Sequence, residues 1–96
     1  GLVPAWQVPD PQALRITTTV NGVVRQDGKT SDMVLDVAHL IADASRLVTL
    51  EPGDLILTGT PAGVAASSGS FLRPGDEVEV AIEHIGSIRN RIEQRP

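Results

Sequence analysis

An α+β fold, a β-roll-like mixed sheet carrying one main amphipathic helix, follows from three features of the 96-residue sequence. Asn21-Gly22 separates two strand-like runs, and one stretch alone, 32–48, repeats its apolar positions with helical period. The near-copies Glu51-Pro52-Gly53-Asp54 and Arg73-Pro74-Gly75-Asp76 each precede an apolar run.

The elements follow in chain order. Pro4, Pro9 and Pro11 in the opening eleven residues remove backbone donors and fix φ, so this part reads as extended. From Leu14 to Val20 apolar and polar side chains alternate, then Asn21-Gly22 leads into Val23-Val24-Arg25-Gln26. Asn-Gly tolerates the two positive φ angles of a type I′ turn, which predicts a hairpin. Asp27-Gly28-Lys29-Thr30 is expected to turn the chain, with Thr30, Ser31 or Asp32 capping a helix over 32–48. Met33, Val37, Leu40, Ala44 and Leu47 form its apolar stripe. The two Pro-Gly-Asp turns are expected to launch strands at Leu55–Thr58 and Glu77–Ile82. Ala65–Ser70 reads as a flexible loop, and Ile85–Ile92 as a last strand after a turn at Gly86.

Composition excludes several functions. A net charge of -4 with a single lysine, Lys29, disfavours a nucleic-acid scaffold, which needs clustered cations. Without cysteine there is neither a disulfide framework nor a thiolate metal site. No apolar run approaches the roughly 20 residues of a membrane span, and no secretory pattern opens the chain, so a cytoplasmic protein is expected. With Trp6 and Phe71 the only aromatics, the core must be built from Val, Ile, Leu and Ala.

Among candidate sites, Thr58-Gly59-Thr60-Pro61 stands apart. It ends an apolar run with hydroxyls, a glycine and a proline, which sets hydrogen-bond donors on a rigid edge suited to a carboxylate or phosphate. The same residues also suit a plain strand-ending turn. Asp32, Asp36, His39 and Asp43 fall within about 60° of helical arc and could bind a divalent metal, yet a solvated helix face explains them better. His84 beside Glu83 reads as a surface histidine, and Arg89 and Arg91 share one strand face. Ser67, Ser68 and Ser70 lack a nucleophile elbow, and Gly59-x-x-x-Gly63 lacks the lysine of a phosphate loop.

Taken in order, Leu2-Val3-Pro4-Ala5, Pro9-Asp10-Pro11-Gln12, Val20-Asn21-Gly22, Arg25-Gln26-Asp27-Gly28, Thr30-Ser31-Asp32-Met33, Leu50 to Asp54, Leu57 to Val64 and Leu72 to Val78 resemble the carboxyl-terminal part of the fumarylacetoacetate hydrolase family. The nearest branch is the 2-hydroxyhepta-2,4-diene-1,7-dioate isomerase and 5-carboxymethyl-2-oxo-hex-3-ene-1,7-dioate decarboxylase type. The resemblance implies a dimeric enzyme of aromatic-compound catabolism that isomerises, decarboxylates or cleaves small 2-oxo or enol dicarboxylic acids. It implies Mg²⁺ or Mn²⁺ held by three carboxylates, and it carries Thr58, Gly59 and Thr60, with Gln26, over as substrate-binding residues. In the family the Glu-x-Glu pair, a later aspartate and an active-site lysine lie upstream of the first matching motif. None is found here, so no catalytic or metal-binding residue is assigned within 1–96, and a companion chain is one expected source of them. Residues 1–96 are then expected to be the C-terminal portion of a catalytic domain, inactive alone. Trp6, His84 and Ala65–Ser70 depart from the family pattern and bear on substrate preference. The alternative is a non-catalytic structural or dimerisation module derived from the same fold.

Overall fold

The computed structural model describes all 96 residues, Gly1 to Pro96. Strands β1 (Arg15–Val20), β2 (Val23–Lys29), β3 (Glu77–Ile82) and β4 (Gly86–Arg91) form one sheet in the order β2-β1-β3-β4. Every pairing is antiparallel. Helix α1 spans Val37–Leu47, and a single helical turn, α2, spans Ala65–Ser68. The α+β class predicted above is the class observed, with a wholly antiparallel sheet in place of a mixed one.

The β1–β2 hairpin turns where expected, with φ of 50° at Asn21 and 78° at Gly22, the two left-handed residues of a type I′ turn. Its turn docks on the second Pro-Gly-Asp corner: the Asn21 side-chain amide donates to Asp76 Oδ1 at 2.9 Å and its carbonyl accepts from the Glu77 backbone N–H at 2.9 Å. The two Pro-Gly-Asp corners fold alike. In each, the aspartate N–H closes the turn on the carbonyl three residues back, and the aspartate carboxylate accepts that residue's N–H, at 2.9 Å in the first and 2.8 Å in the second.

Paired residues of an antiparallel ladder share a face. Ile16, Thr18 and Val20 of β1 therefore lie with Val78, Val80 and Ile82 of β3 and Ile88 of β4, an apolar face. The opposite face carries Arg15, Asp27, Glu77, Glu79, Arg89 and Arg91. There Arg15 grips Asp27 with two bonds of 2.8 and 2.7 Å, and Arg89 meets Glu79 at 2.6 Å and Glu77 at 3.5 Å.

Several local expectations are corrected. The helix begins at Val37 rather than residue 32: Thr30–Asp32 is a separate 3-10 turn, and Asp36 is the true cap, its carboxylate accepting the His39 N–H at 2.7 Å. Gln12 fixes that start from outside, accepting the Val37 N–H at 2.7 Å and donating to the Thr30 carbonyl at 2.8 Å. Asp27-Gly28-Lys29 does not turn the chain but continues β2, because Arg15 pairs with Lys29 across the ladder. Ala5–Gln7 makes a 3-10 turn, Ala65–Ser68 is helical, and the last strand is Gly86–Arg91 with the turn at 83–85.

Leu55–Thr58 is the largest departure, since it belongs to no ladder. The second Pro-Gly-Asp corner feeds a strand that finds β1 and β4 on either side, whereas the first feeds a run with no neighbour. A strand exists only through its partners, and Leu55 and Leu57 remain 80% and 96% exposed.

The core is correspondingly thin, with Leu14 as the one fully buried residue. The surface of 7784 Å² exceeds by about 2,500 Å² the roughly 5,300 Å² expected of a folded monomer of 10.1 kDa. The radius of gyration, 15.6 Å, likewise exceeds the roughly 12.5 Å of a compact 96-residue domain. Helix α1 makes no packing with the sheet comparable to that between strands, which leaves Leu47 and Ile41 exposed on an otherwise amphipathic helix.

The hairpin-to-corner contact sets an acid limb. The Arg73 backbone N–H, then the Asn21 amide, hold the Asp76 carboxyl below the ordinary carboxylate range. A group whose folded pKa is depressed stabilises fully above its unfolded pKa and loses that contribution as pH falls through the folded value. The complete subunit is therefore expected to lose stability from about pH 5 downward, and Asp76→Asn to flatten part of that slope in denaturant titrations at stepped pH. An unchanged slope would rule Asp76 out. Asp27, held low by Arg15, and Asp36, held low by the His39 N–H, act with the same sign.

Candidate functional site

The Thr58-Gly59-Thr60-Pro61 segment lies against β2, on the side where Gly28 and Gln26 face with Ile16 and Thr18. What lets it approach is a β-bulge: Thr18 pairs with Gln26 and Thr19 with Val24, leaving Arg25 unopposed. Val24 and Gln26, two residues apart, thereby sit on opposite faces, and Gln26 joins Thr18 on the apolar side.

Two glycines make the approach close. A Cβ at Gly28 would lie 2.7 Å from the Pro61 Cβ, and one at Gly63 would collide with the Arg25 backbone carbonyl. Gly63 also has a φ of 106°, closed to ordinary side chains. Gln26 completes the junction: its Nε2 donates to Thr60 Oγ1 at 2.9 Å and to the Pro61 carbonyl at 2.8 Å.

The turn borders a cleft of about 620 Å³ lined by Ile16, Lys29, Met33, Leu40, Thr58 and Thr60 among others. Thr58 and Thr60 are exposed, so their hydroxyls are accessible. Lys29, the single lysine, lines the same cleft, as do Asp27, held by Arg15, and Asp32 at the rim. Two hydroxyls and apolar walls suit a small carboxylate. Beside it a second cleft of about 560 Å³ contains Arg25, Gln26, Phe71, Arg73 and Asp76.

Of the residues singled out in the sequence, Gln26, Thr60 and Pro61 meet directly, and Thr58 and Gly59 line the cleft beside Thr60. The helix-face group does not assemble. Asp36 is spent on the His39 N–H and lies 2.8 Å from its ring Nδ1, Asp43 meets Arg46 at 3.3 Å, and Asp32 is off the helix. Arg89 is taken up by Glu79, and His84 stands 3.7 Å from Glu83 with a left-handed φ of 61°. No group of three or more His, Cys, Asp or Glu side chains comes together, so these residues do not fit a carboxylate-held cation. Sequence reading missed the bulge at Arg25 and the Gly28 and Gly63 contacts. Two glycines flanking a Gln and a Thr-Pro pair were the available signal.

Comparison with known proteins gives a consistent picture. The family described as fumarylacetoacetate (FAA) hydrolase C-terminal matches residues 1–93. The mitochondrial oxaloacetate tautomerase of Rattus norvegicus is 46% identical over 94 residues, which are 98% of this chain and 40% of that protein. Maleylpyruvate hydrolase from Sphingobium sp. SYK-6, solved with manganese(II) and pyruvate, superposes with a TM-score of 0.90 at 37% identity, over 99% of this chain and 34% of that one. The 2-hydroxyhepta-2,4-diene-1,7-dioate isomerase of Mycobacterium marinum does so with a TM-score of 0.81 at 43% identity, over 92% and 33% of the two chains. The chain thus spans two fifths or less of the length of these relatives.

Proposed function

The chain belongs to the fumarylacetoacetate hydrolase family, and from that premise we propose that it is the C-terminal portion of a metal-dependent catalytic domain acting on small 2-oxo dicarboxylic acids. In this reading Thr58, Gly59 and Thr60 hold a substrate carboxylate, and Mg²⁺ or Mn²⁺ is held by residues outside the 96 described. The observation that carries it is the braced Thr58–Pro61 turn, whose two hydroxyls line a cleft of about 620 Å³. The relatives named above are a tautomerase, a hydrolase and an isomerase, so reaction type varies around a comparable scaffold. A self-sufficient module would need a core of its own, and a single buried residue does not make one.

The test replaces each hydroxyl in the complete, metal-loaded subunit. Thr58→Val and Thr60→Val are each expected to weaken oxalate binding about tenfold to a hundredfold, the worth of one hydrogen bond to a charged group. Calorimetric titration reads the effect. Unchanged affinity in both variants removes the turn from the site.

A further inference from the structure

Gln26 holds every hydrogen bond that ties the Thr58–Pro61 turn to the rest of the molecule. Among residues 55–63, only Thr60 and Pro61 take part in hydrogen bonds, and both bond to Gln26 Nε2. A primary amide carries two N–H donors, and both are spent here. Its orientation is decided by chemistry: the flipped amide would set Oε1 against the Pro61 carbonyl oxygen, two acceptors face to face.

We propose that Gln26 is a positioning residue that turns the Thr60 hydroxyl into a fixed donor toward the cleft, acting through Thr60 and not on the ligand itself. A threonine hydroxyl both donates and accepts. By accepting from Gln26, Thr60 Oγ1 commits lone-pair density toward the sheet and leaves its proton for an anion on the open side. A carboxylate only accepts, so a hydroxyl held as donor binds it without first reorganising. The sheet is built to place this amide: the bulge at Arg25 moves Gln26 onto the face of Thr18, and Gly28 and Gly63 let the turn come within reach.

The proposal rests on the substrate-holding role of the Thr58–Thr60 turn, and a double-mutant cycle separates the two. Oxalate affinity is measured in the complete, metal-loaded subunit for Gln26→Met, which keeps length and removes both donors, for Thr60→Val, and for the pair. Gln26→Met alone is expected to weaken oxalate about tenfold, and to add clearly less than that in the Thr60→Val background, where only the Pro61 bond is left to lose. The melting temperature is expected to hold in Gln26→Met, so that the loss of affinity is read apart from any loss of fold. If Thr60→Val weakens oxalate but Gln26→Met does not, or if the two losses multiply, the positioning role is overturned while the carboxylate site stands. If Thr60→Val leaves oxalate unaffected, both fall together.

Discussion

Purified by itself and given Mn²⁺, the chain is expected to turn over no 2-oxo dicarboxylic acid, whereas a chimera that places residues 1–96 in the framework of a full-length relative is expected to do so. The rat tautomerase, with 46% identity over 94 residues, is a suitable framework. Two structural facts set the expectation. No three metal-ligating side chains converge in the chain, so a divalent ion has nowhere to be held. The excess surface of about 2,500 Å² matches the area that obligate partners bury, and many large apolar side chains lie exposed. Leu55 and Leu57 lie along an unpaired extended run, and Val34 and Leu47 are 99% and 87% exposed. The isolated chain is therefore also expected to bind apolar dyes and to sediment as more than a monomer, since open edges and apolar faces promote association. The chimera is expected to raise turnover from none detectable to about a millionfold or more above the uncatalysed rate, the lower end of enzymatic enhancement. Chelator-sensitive turnover by the purified chain would overturn the division of labour. So would a folded, metal-loaded chimera without activity.

The same contrast explains how much was legible in the sequence. Information carried by a few adjacent residues was readable: Asn21-Gly22 specifies its turn through φ, the Pro-Gly-Asp corners through proline, glycine and a carboxylate acceptor, and Glu77–Ile82 through alternation. What depended on distant partners was not. Leu55–Thr58 carries the same launching turn as β3, and its lack of a ladder follows from a neighbour that periodicity cannot report. The helix start moved to Val37 because Gln12, twenty-five residues away, receives its first N–H. For the candidate site, the Thr-Gly-Thr-Pro residues were visible as chemistry, but their bracing was not. The bulge at Arg25 is a register property of two strands, and it decides which face Gln26 joins.

Gly63→Ala is expected to cost on the order of 3 kcal/mol and to weaken oxalate binding at least tenfold in the complete subunit. Two effects combine. A φ of 106° lies outside what an L side chain readily adopts, at about 1–2 kcal/mol. The new methyl would also strike the Arg25 carbonyl oxygen, and it would lie 3.1 Å from both the Arg25 carbonyl carbon and the Gln26 Cγ. The backbone at a bulge in a paired strand gives less readily than a flexible side chain, so the turn must move instead. Moving it stretches the Gln26 bonds to Thr60 and Pro61 and displaces the hydroxyl that faces the cleft. Gly53→Ala is the matched control: Gly53 has a φ of 97°, yet its Cβ would meet nothing within 4 Å. That variant pays the dihedral cost alone, about 1–2 kcal/mol, and should leave oxalate affinity intact. The difference between the two melting temperatures isolates the contact with β2. If Gly63→Ala proves no more damaging than Gly53→Ala in both stability and affinity, the close approach of the turn to Arg25 does not hold the site.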